Sequence, residues 1–260
     1  MILLENLPIS TKWTLDATGD VGRSAIESVF MILVPKIASK GTGFLLSNGC
    51  IITNEHVVNN HTPSDVIGIS SSGENIHFSN VFSDKDHDLC ILIPTTKLEG
   101  GLNLADESDL KVGSSVYTWG YPLGYNGPSP LLSVGYLAGF KSYEIGGKTN
   151  KHLVVNGAFN PGNSGGPLFL ANDNHVIGVV SSKHAPISAT LLSAIEALSS
   201  NRSGIVFTAS DGKGNTQEFV ESQLVAQILF YFRSLTQVMI GEAISTDEVR
   251  NILDKNKFSF

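Results

Sequence analysis

The stretch LVVNGAFNPGNSGGPLFLANDNHVIGVV, residues 153–180, sets two short apolar runs, Leu153-Val154-Val155 and Val176-Ile177-Gly178-Val179-Val180, around a cluster of Gly, Asn and Pro. Runs this short, rich in Val and Ile and bounded by turn residues, read as β-strands of an antiparallel barrel or sandwich rather than of βαβ units. Between them lies Gly162-Asn163-Ser164-Gly165-Gly166-Pro167. A serine among glycines on a tight turn suits a nucleophile. The missing side chains let a carbonyl approach Oγ while adjacent backbone N–H groups point at a developing oxyanion. Taken alone, the same residues also make an ordinary Gly/Asn turn.

Working outward, the same texture runs from Ser28 to Val180: Val29 to Val34, Gly43 to Leu46, Cys50 to Thr53, Leu89 to Ile93 and Ser115 to Trp119. This predicts an all-β body of antiparallel barrels or a sandwich. Asp20 to Glu27 reads as a short helix ahead of it. After about residue 185 the period changes. Ile187 to Leu198 reads as a helix, and Phe219, Val220, Leu224, Ile228, Tyr231, Leu235 and Val238 recur at three- to four-residue spacing, with Gly241 as the stop. Asp211 to Asn215 reads as a turn, and Ser245-Thr246-Asp247-Glu248 as a capping box opening a helix to about Lys255. The expected organisation is an N-terminal segment (1–24), a β body (25–185) and a mostly helical C-terminal extension (186–260).

With 42% hydrophobic and 16% charged residues among 260, the chain can bury a core and is not disordered. Seventeen basic against 24 acidic side chains give a net charge of −7, which predicts no nucleic-acid partner. Two cysteines, Cys50 and Cys90, inside apolar runs read as buried thiols in a reducing compartment. The first residues lack a basic and apolar leader pattern, and Gln227, Arg233, Ser234 and Gln237 interrupt the longest apolar stretch. The expectation is a cytoplasmic protein without a membrane span, in which the sequons at Asn60 and Asn201 arise by chance. No cofactor is expected. His61, His77, His152, His175 and His184 show no metal-ligand spacing, and Gly212-Lys213-Gly214 lacks the pattern of a phosphate loop.

Ile51-Ile52-Thr53-Asn54-Glu55-His56 puts a histidine where an apolar strand ends, and Asp84-Lys85-Asp86-His87-Asp88 brings acids to the start of the next, Leu89 to Leu92. Alternating aspartates also open calcium loops, but the sixth position here is Leu89 and the twelfth Thr95 instead of Gly and Glu. The order His56, Asp88, Ser164 is that of the chymotrypsin arrangement. The chain resembles trypsin-like serine proteases of the bacterial Deg, or high-temperature-requirement, branch. Gly41 to Phe44, Thr53 to Val58, Asp88 to Leu92, Trp119 to Gly124 and Asn160 to Pro167 carry its motifs in order, over roughly residues 25–185.

The resemblance implies a two-barrel chymotrypsin-like fold with a helical C-terminal extension, acting as a serine endopeptidase on protein or peptide substrates. In it Ser164 attacks, His56 moves the proton and Asp88 orients the imidazole, with Asp84 and Asp86 as fallback acids and His87 exposed. Backbone amides of Gly162, Asn163 and Ser164 form the oxyanion hole. Ala158 lies at the base of the substrate pocket, with Phe159, Ser181, Ser182 and Lys183 around it and His184 beyond. A small or medium apolar residue before the scissile bond is the first expectation and an acidic one the second. Asn163 stands where a zymogen-activated relative has Asp, so activation by propeptide removal is not expected, nor is a PDZ domain after residue 185. A rival reading is a protease-fold binding module with weak or partner-dependent turnover; an esterase is another. The long C-terminal helix has more apolar side chains than one stripe requires, Leu229, Phe230 and Phe232 among them, so it is expected to pack on two sides: against its own barrel and the neighbouring helices, or with one side docking a second copy or a regulatory protein.

Overall fold

A computed structural model describes residues 7–106, 110–171, 175–183, 189–202, 204–210, 212–235 and 240–258; the side chains of residues 182, 183, 189 and 233–235 stand outside that description. Two short helices come first, α1 (Ile9–Asp16) and α2 (Asp20–Glu27), the second of which buries Ala25 and Ile26.

The first sheet joins β1 (Val29–Val34), β2 (Ser39–Leu45), β3 (Ile51–Thr53), β4 (Ile67–Ile69), β5 (Asn75–Ile76), β6 (Phe78–Asp84) and β7 (Leu89–Pro94) in the order β5-β4-β1-β2-β3-β7-β6. A one-turn helix, α3 (Glu55–Val58), interrupts it after β3. Strand side chains alternate between faces, so one set, Phe30, Ile32, Val34, Leu45, Ile51, Cys90 and Leu92, fills the interior of this sheet with Val57 and Val58 of α3.

The second sheet is a closed barrel. It joins β8 (Ser115–Gly120), β9 (Leu131–Ile145), β10 (Lys148–Gly157), β11 (Pro167–Leu170), β12 (Val176–Lys183) and β15 (Ile240–Ser245) in the order β10-β15-β12-β11-β8-β9. Val116, Leu137, Leu153, Val155, Leu168, Ile177, Val180 and Ala243 pack inside it. A third cluster, including Phe44, Ile52, Leu89 and Ile91 of the first sheet and Trp119, Phe169, Val179 and Ile244 of the second, joins the two barrels face to face.

Beyond residue 185 the chain is more varied than its periodicity predicts. Two compact units emerge, one of Met1–Lys183 with Met239–Phe260, the other of His184–Val238. The second holds α4 (Ala189–Ser200), the hairpin β13 (Val206–Ser210) and β14 (Thr216–Val220), and α5 (Glu221–Leu235), with α4 packed on α5. Phe219 and Val220, expected in the long helix, pair with Phe207 and Val206 in the hairpin, because the ladder satisfies backbone groups that one helical turn would leave open. Ile187 and Asp211, the starts expected for a helix and a turn, lie outside the described residues. Gly241 stops no helix: it sits in β15, which pairs with β10 and β12 and completes the barrel. The last helix, α6 (Thr246–Lys255), starts at the expected cap, where Ser245 Oγ accepts the Asp247 N–H at 3.1 Å. No helix among the described residues is long and apolar enough to cross a membrane.

Candidate active site

Asn54 follows β3 in an extended conformation and α3 begins at Glu55, so His56 leaves the sheet in the first helical turn. Asp88 comes from the turn between β6 and β7 with φ of +53°, a left-handed conformation that Asp tolerates better than bulkier residues. That twist turns the whole residue toward the His56 segment. Its carbonyl accepts from Asn54 Nδ2 at 2.9 Å and from the Glu55 N–H at 3.2 Å. Its carboxylate accepts from the His56 N–H at 3.0 Å, and the two oxygens lie 2.9 and 2.8 Å from His56 Nδ1. The imidazole is therefore fixed with Nδ1 on the acid and Nε2 outward, half of its side-chain surface (49%) open to solvent.

Ser164 sits on a turn clamped from both barrels. The Thr42 N–H donates to the Ser164 carbonyl at 2.8 Å, the Gly165 N–H to Val180 at 2.7 Å, and Thr42 Oγ1 to the Gly162 carbonyl at 2.6 Å. Glycine is required at two points of this turn. Gly162 and Gly165 have φ of +94° and +86°, and a Cβ at either would lie 2.4 Å from the Tyr121 carbonyl or 2.1 Å from that of Thr42. The amides of Gly162 and Ser164 donate to no acceptor among the described residues. The Asn163 amide differs from expectation: it donates to the Asn160 carbonyl at 3.1 Å, closing the turn, and is not free to serve an oxyanion. The buried Asn163 side chain, beside Gly120, has no partner for either end of its amide among the described residues.

His56, Asp88 and Ser164 line one cleft of about 370 Å³ together with Phe159, Asn160, Pro161, Val180 and Ser181. Its resting state is specific. Ser164 Oγ donates to the Ser181 carbonyl at 2.8 Å, and no bond joins it to the imidazole among the described residues. Residues 41–179, more than half the chain, match the model of the trypsin-like peptidase domain. The chain belongs to the trypsin-like peptidase family.

Similar proteins carry related names. A probable periplasmic serine endoprotease, DegP-like, of Bartonella henselae is 30% identical over 190 residues, 71% of this chain and 34% of that protein. Protease Do-like 8, chloroplastic, of Arabidopsis thaliana is 32% identical over 170 residues, 58% of this chain and 37% of that protein. The chain thus spans little more than a third of these relatives. Among solved structures, the Rv3671c protease from M. tuberculosis in its active form has a TM-score of 0.61 at 20% identity, covering 93% of this chain and 86% of that one. The HtrA-type protease AlgW with tripeptide has a TM-score of 0.61 at 19% identity, covering 92% and 64%. These structures share the two-barrel fold, and the sequence relatives of this trypsin-like peptidase carry DegP-like and Do-like names.

In this trypsin-like peptidase the expected pocket residues separate. Phe159 lines the cleft, 2% exposed, and packs so closely on Gly241 that a Cβ there would lie 2.8 Å from its ring. Ala158 does not line the cleft. Ser181, expected only as pocket wall, donates from Oγ to Asp88 Oδ2 at 2.9 Å, a role with no local sequence signal. The side chains of Ser182 and Lys183, and all of His184, lie outside the described residues. Asp84 and Asp86 stay off the imidazole: Asp84 bonds His87 instead, and His87, expected exposed, is partly buried between Asp84 and Glu248. No group of three or more His, Cys, Asp or Glu side chains among the described residues is arranged to hold a metal ion.

Proposed function

We propose that the chain is a serine endopeptidase in which His56, Asp88 and Ser164 form the catalytic triad. The observation that carries this reading is the His56 imidazole held at 2.8 and 2.9 Å by both Asp88 oxygens, in the cleft that contains Ser164. Ser164 Oγ leaves the Ser181 carbonyl, turns to Nε2, and bonds to the peptide carbonyl carbon as its proton passes to His56. The carbonyl oxygen becomes an oxyanion received by the Gly162 and Ser164 N–H groups, a contribution of about 3 kcal/mol per donor in comparable sites. Collapse breaks the C–N bond and Nε2 returns the proton to the leaving amine. Water then repeats the sequence on the acyl-enzyme. Throughout, the carboxylate of Asp88 stabilises the imidazolium without taking its proton.

The Phe159 ring against Gly241 limits the depth of the cleft and supports a small or medium apolar residue before the scissile bond. Labelling with a fluorophosphonate probe tests the triad: wild type is expected to label, Ser164→Ala and His56→Ala not. Labelling of His56→Ala equal to wild type overturns the assignment.

One observation favours a second reading, partner- or substrate-dependent turnover: Ser164 Oγ rests on Ser181 and not on the imidazole. A control surface is available for it. On α5, Phe230, Tyr231 and Phe232 are 42%, 63% and 61% exposed, which supports docking of a second copy or a regulatory protein. Sedimentation of wild type and Phe232→Glu distinguishes an oligomer from a monomer. Cys50 and Cys90, both free and buried, suit the cytoplasm, although the relatives named above carry periplasmic and chloroplastic labels. Fractionation of cells carrying the tagged protein assigns the compartment.

A further inference from the structure

Asp88 can orient His56 only if the turn that carries it is held still, and its internal bonding is thin: the Asp88 N–H reaches the Lys85 carbonyl at 3.4 Å. Asn54, Glu55 and Ser181 bond Asp88 from outside the turn, and within the turn the shorter ties pass through the preceding residue. The His87 N–H and Nδ1 meet Asp84 Oδ1 at 3.2 and 3.0 Å, and on the other side of the ring Nε2 faces Glu248 Oε2 at 3.6 Å. Glu248 belongs to α6, is only 7% exposed, and is steadied by Asn251 Nδ2 at 3.0 Å. Lys255 of α6 reaches Asp84 Oδ2 at 3.5 Å, and Phe258 meets Phe82 edge-on at 5.5 Å between centroids.

A carboxylate stands near each ring nitrogen, so the ring lies between an acid of its own turn and one of α6. Burial opposes ionisation of Asp84, but the bonds from His87 and the charges of His87 and Lys255 outweigh it and hold the carboxyl below its usual range. Val249, Ile252 and Leu253 of α6 are buried in the cluster that contains Val179 and Ile244 of the second barrel. The helix is thus a strut from the second barrel to the acid-bearing turn of the first.

We propose that His87 is a positioning residue: clamped between Asp84 and Glu248, it ties α6 to the β6–β7 turn and so holds Asp88 at the angle that orients His56. The proposal rests on the triad reading above. It makes the end of the chain part of the catalytic scaffold, although no residue of α6 lines the cleft.

The test compares His87→Ala, His87→Gln and Glu248→Gln with wild type by peptide hydrolysis and by the downfield proton resonance of His56 Nδ1. In His87→Ala the expected result is kcat lower by about ten- to a hundredfold, the latter being what an ångström of misplacement costs. KM should stay within about twofold, with the resonance weakened by solvent exchange and partial rescue in His87→Gln. Unchanged kcat and resonance in a folded His87→Ala overturns the proposal. Should His87→Ala not fold, Glu248→Gln, of nearly the same shape, decides by the same two readouts. A wild type that neither hydrolyses peptides nor labels at Ser164 overturns the triad reading instead. The resonance still separates the two, because loss of the His56–Asp88 bond in Glu248→Gln requires no turnover to be seen.

Discussion

The backbone amide of Thr42, on the first barrel, donates to the carbonyl of Ser164 at 2.8 Å, while its hydroxyl donates to the Gly162 carbonyl at 2.6 Å and accepts the Tyr121 N–H at 3.0 Å. One fully buried threonine thereby spans the two barrels and fixes the turn that carries Ser164. Thr42→Val preserves shape but strands two buried polar groups, each costing about 1 to 3 kcal/mol. We expect urea unfolding to show a loss of about 2 to 6 kcal/mol, with Thr42→Ser near wild type.

Gly165→Ala tests the same turn from its other side. The added methyl would meet the Thr42 carbonyl at 2.1 Å in a left-handed backbone, so the turn has to open. Loss of probe labelling at Ser164 is expected even where circular dichroism shows a folded protein. Retained labelling would mean the turn tolerates what its geometry forbids.

Ser181→Ala removes one bond to Asp88 Oδ2 but leaves the carbonyl that accepts from Ser164. Hydrogen bonds to charged groups are worth about 1.5 to 3 kcal/mol, which corresponds to about a ten- to hundredfold drop in kcat if the bond acts in the transition state. Steady-state kinetics should show KM little changed.

Specificity offers a fourth check. With Phe159 packed on Gly241, a peptide library is expected to return Ala, Val or similar residues before the cut. Phe159→Leu should admit larger apolar residues. Dominant cleavage after Arg or Lys would refute the pocket.

His152, on β10, is partly buried beside Glu242, with Nδ1 and Oε2 3.5 Å apart. Burial lowers the pKa of its imidazole, and Glu242, which pulls the other way, does not compensate. The unfolded chain then binds a proton more readily than the folded one, so the stability associated with this group is present above about pH 6.5 and is lost as pH falls through the lowered folded value. Unfolding midpoints in urea should decline on acidification, less steeply in His152→Gln. An identical pH slope in the two proteins would assign the effect elsewhere.

Apolar runs bounded by turn residues identify β1, β3, β7, β8 and β12 and a part of β2 and β10, because buried strands concentrate Val, Ile and Leu. The long strand β9 escapes this reading. Its side chains, Leu132, Val134 and Tyr136 among them, are mostly exposed, so no contrast marks it as a strand. β15 escapes for another reason: its six residues include Gly241 and Glu242, and its partners His152 to Asn156 lie far back in the chain. At the site, His56, Asp88 and Ser164 are legible because each ends or begins a strand with a distinctive turn. The Ser181 hydroxyl and the His87 clamp are not, since each depends on a partner more than ninety residues away that only the folded chain brings near.

Lys183 and Gly241 are paired neighbours on adjacent antiparallel strands of the closed barrel, yet His184–Val238 stands between them in the chain. Antiparallel partners have Cα atoms only about 4.5 to 5.5 Å apart, a gap that a turn of two to five residues ordinarily closes. The intervening unit is therefore an excursion from what would otherwise be a plain hairpin. The strands that flank it in sequence pair directly with each other, so its length can change while that strand ladder keeps its register. Natural or engineered changes within that stretch therefore need not rebuild the barrel that carries Ser181.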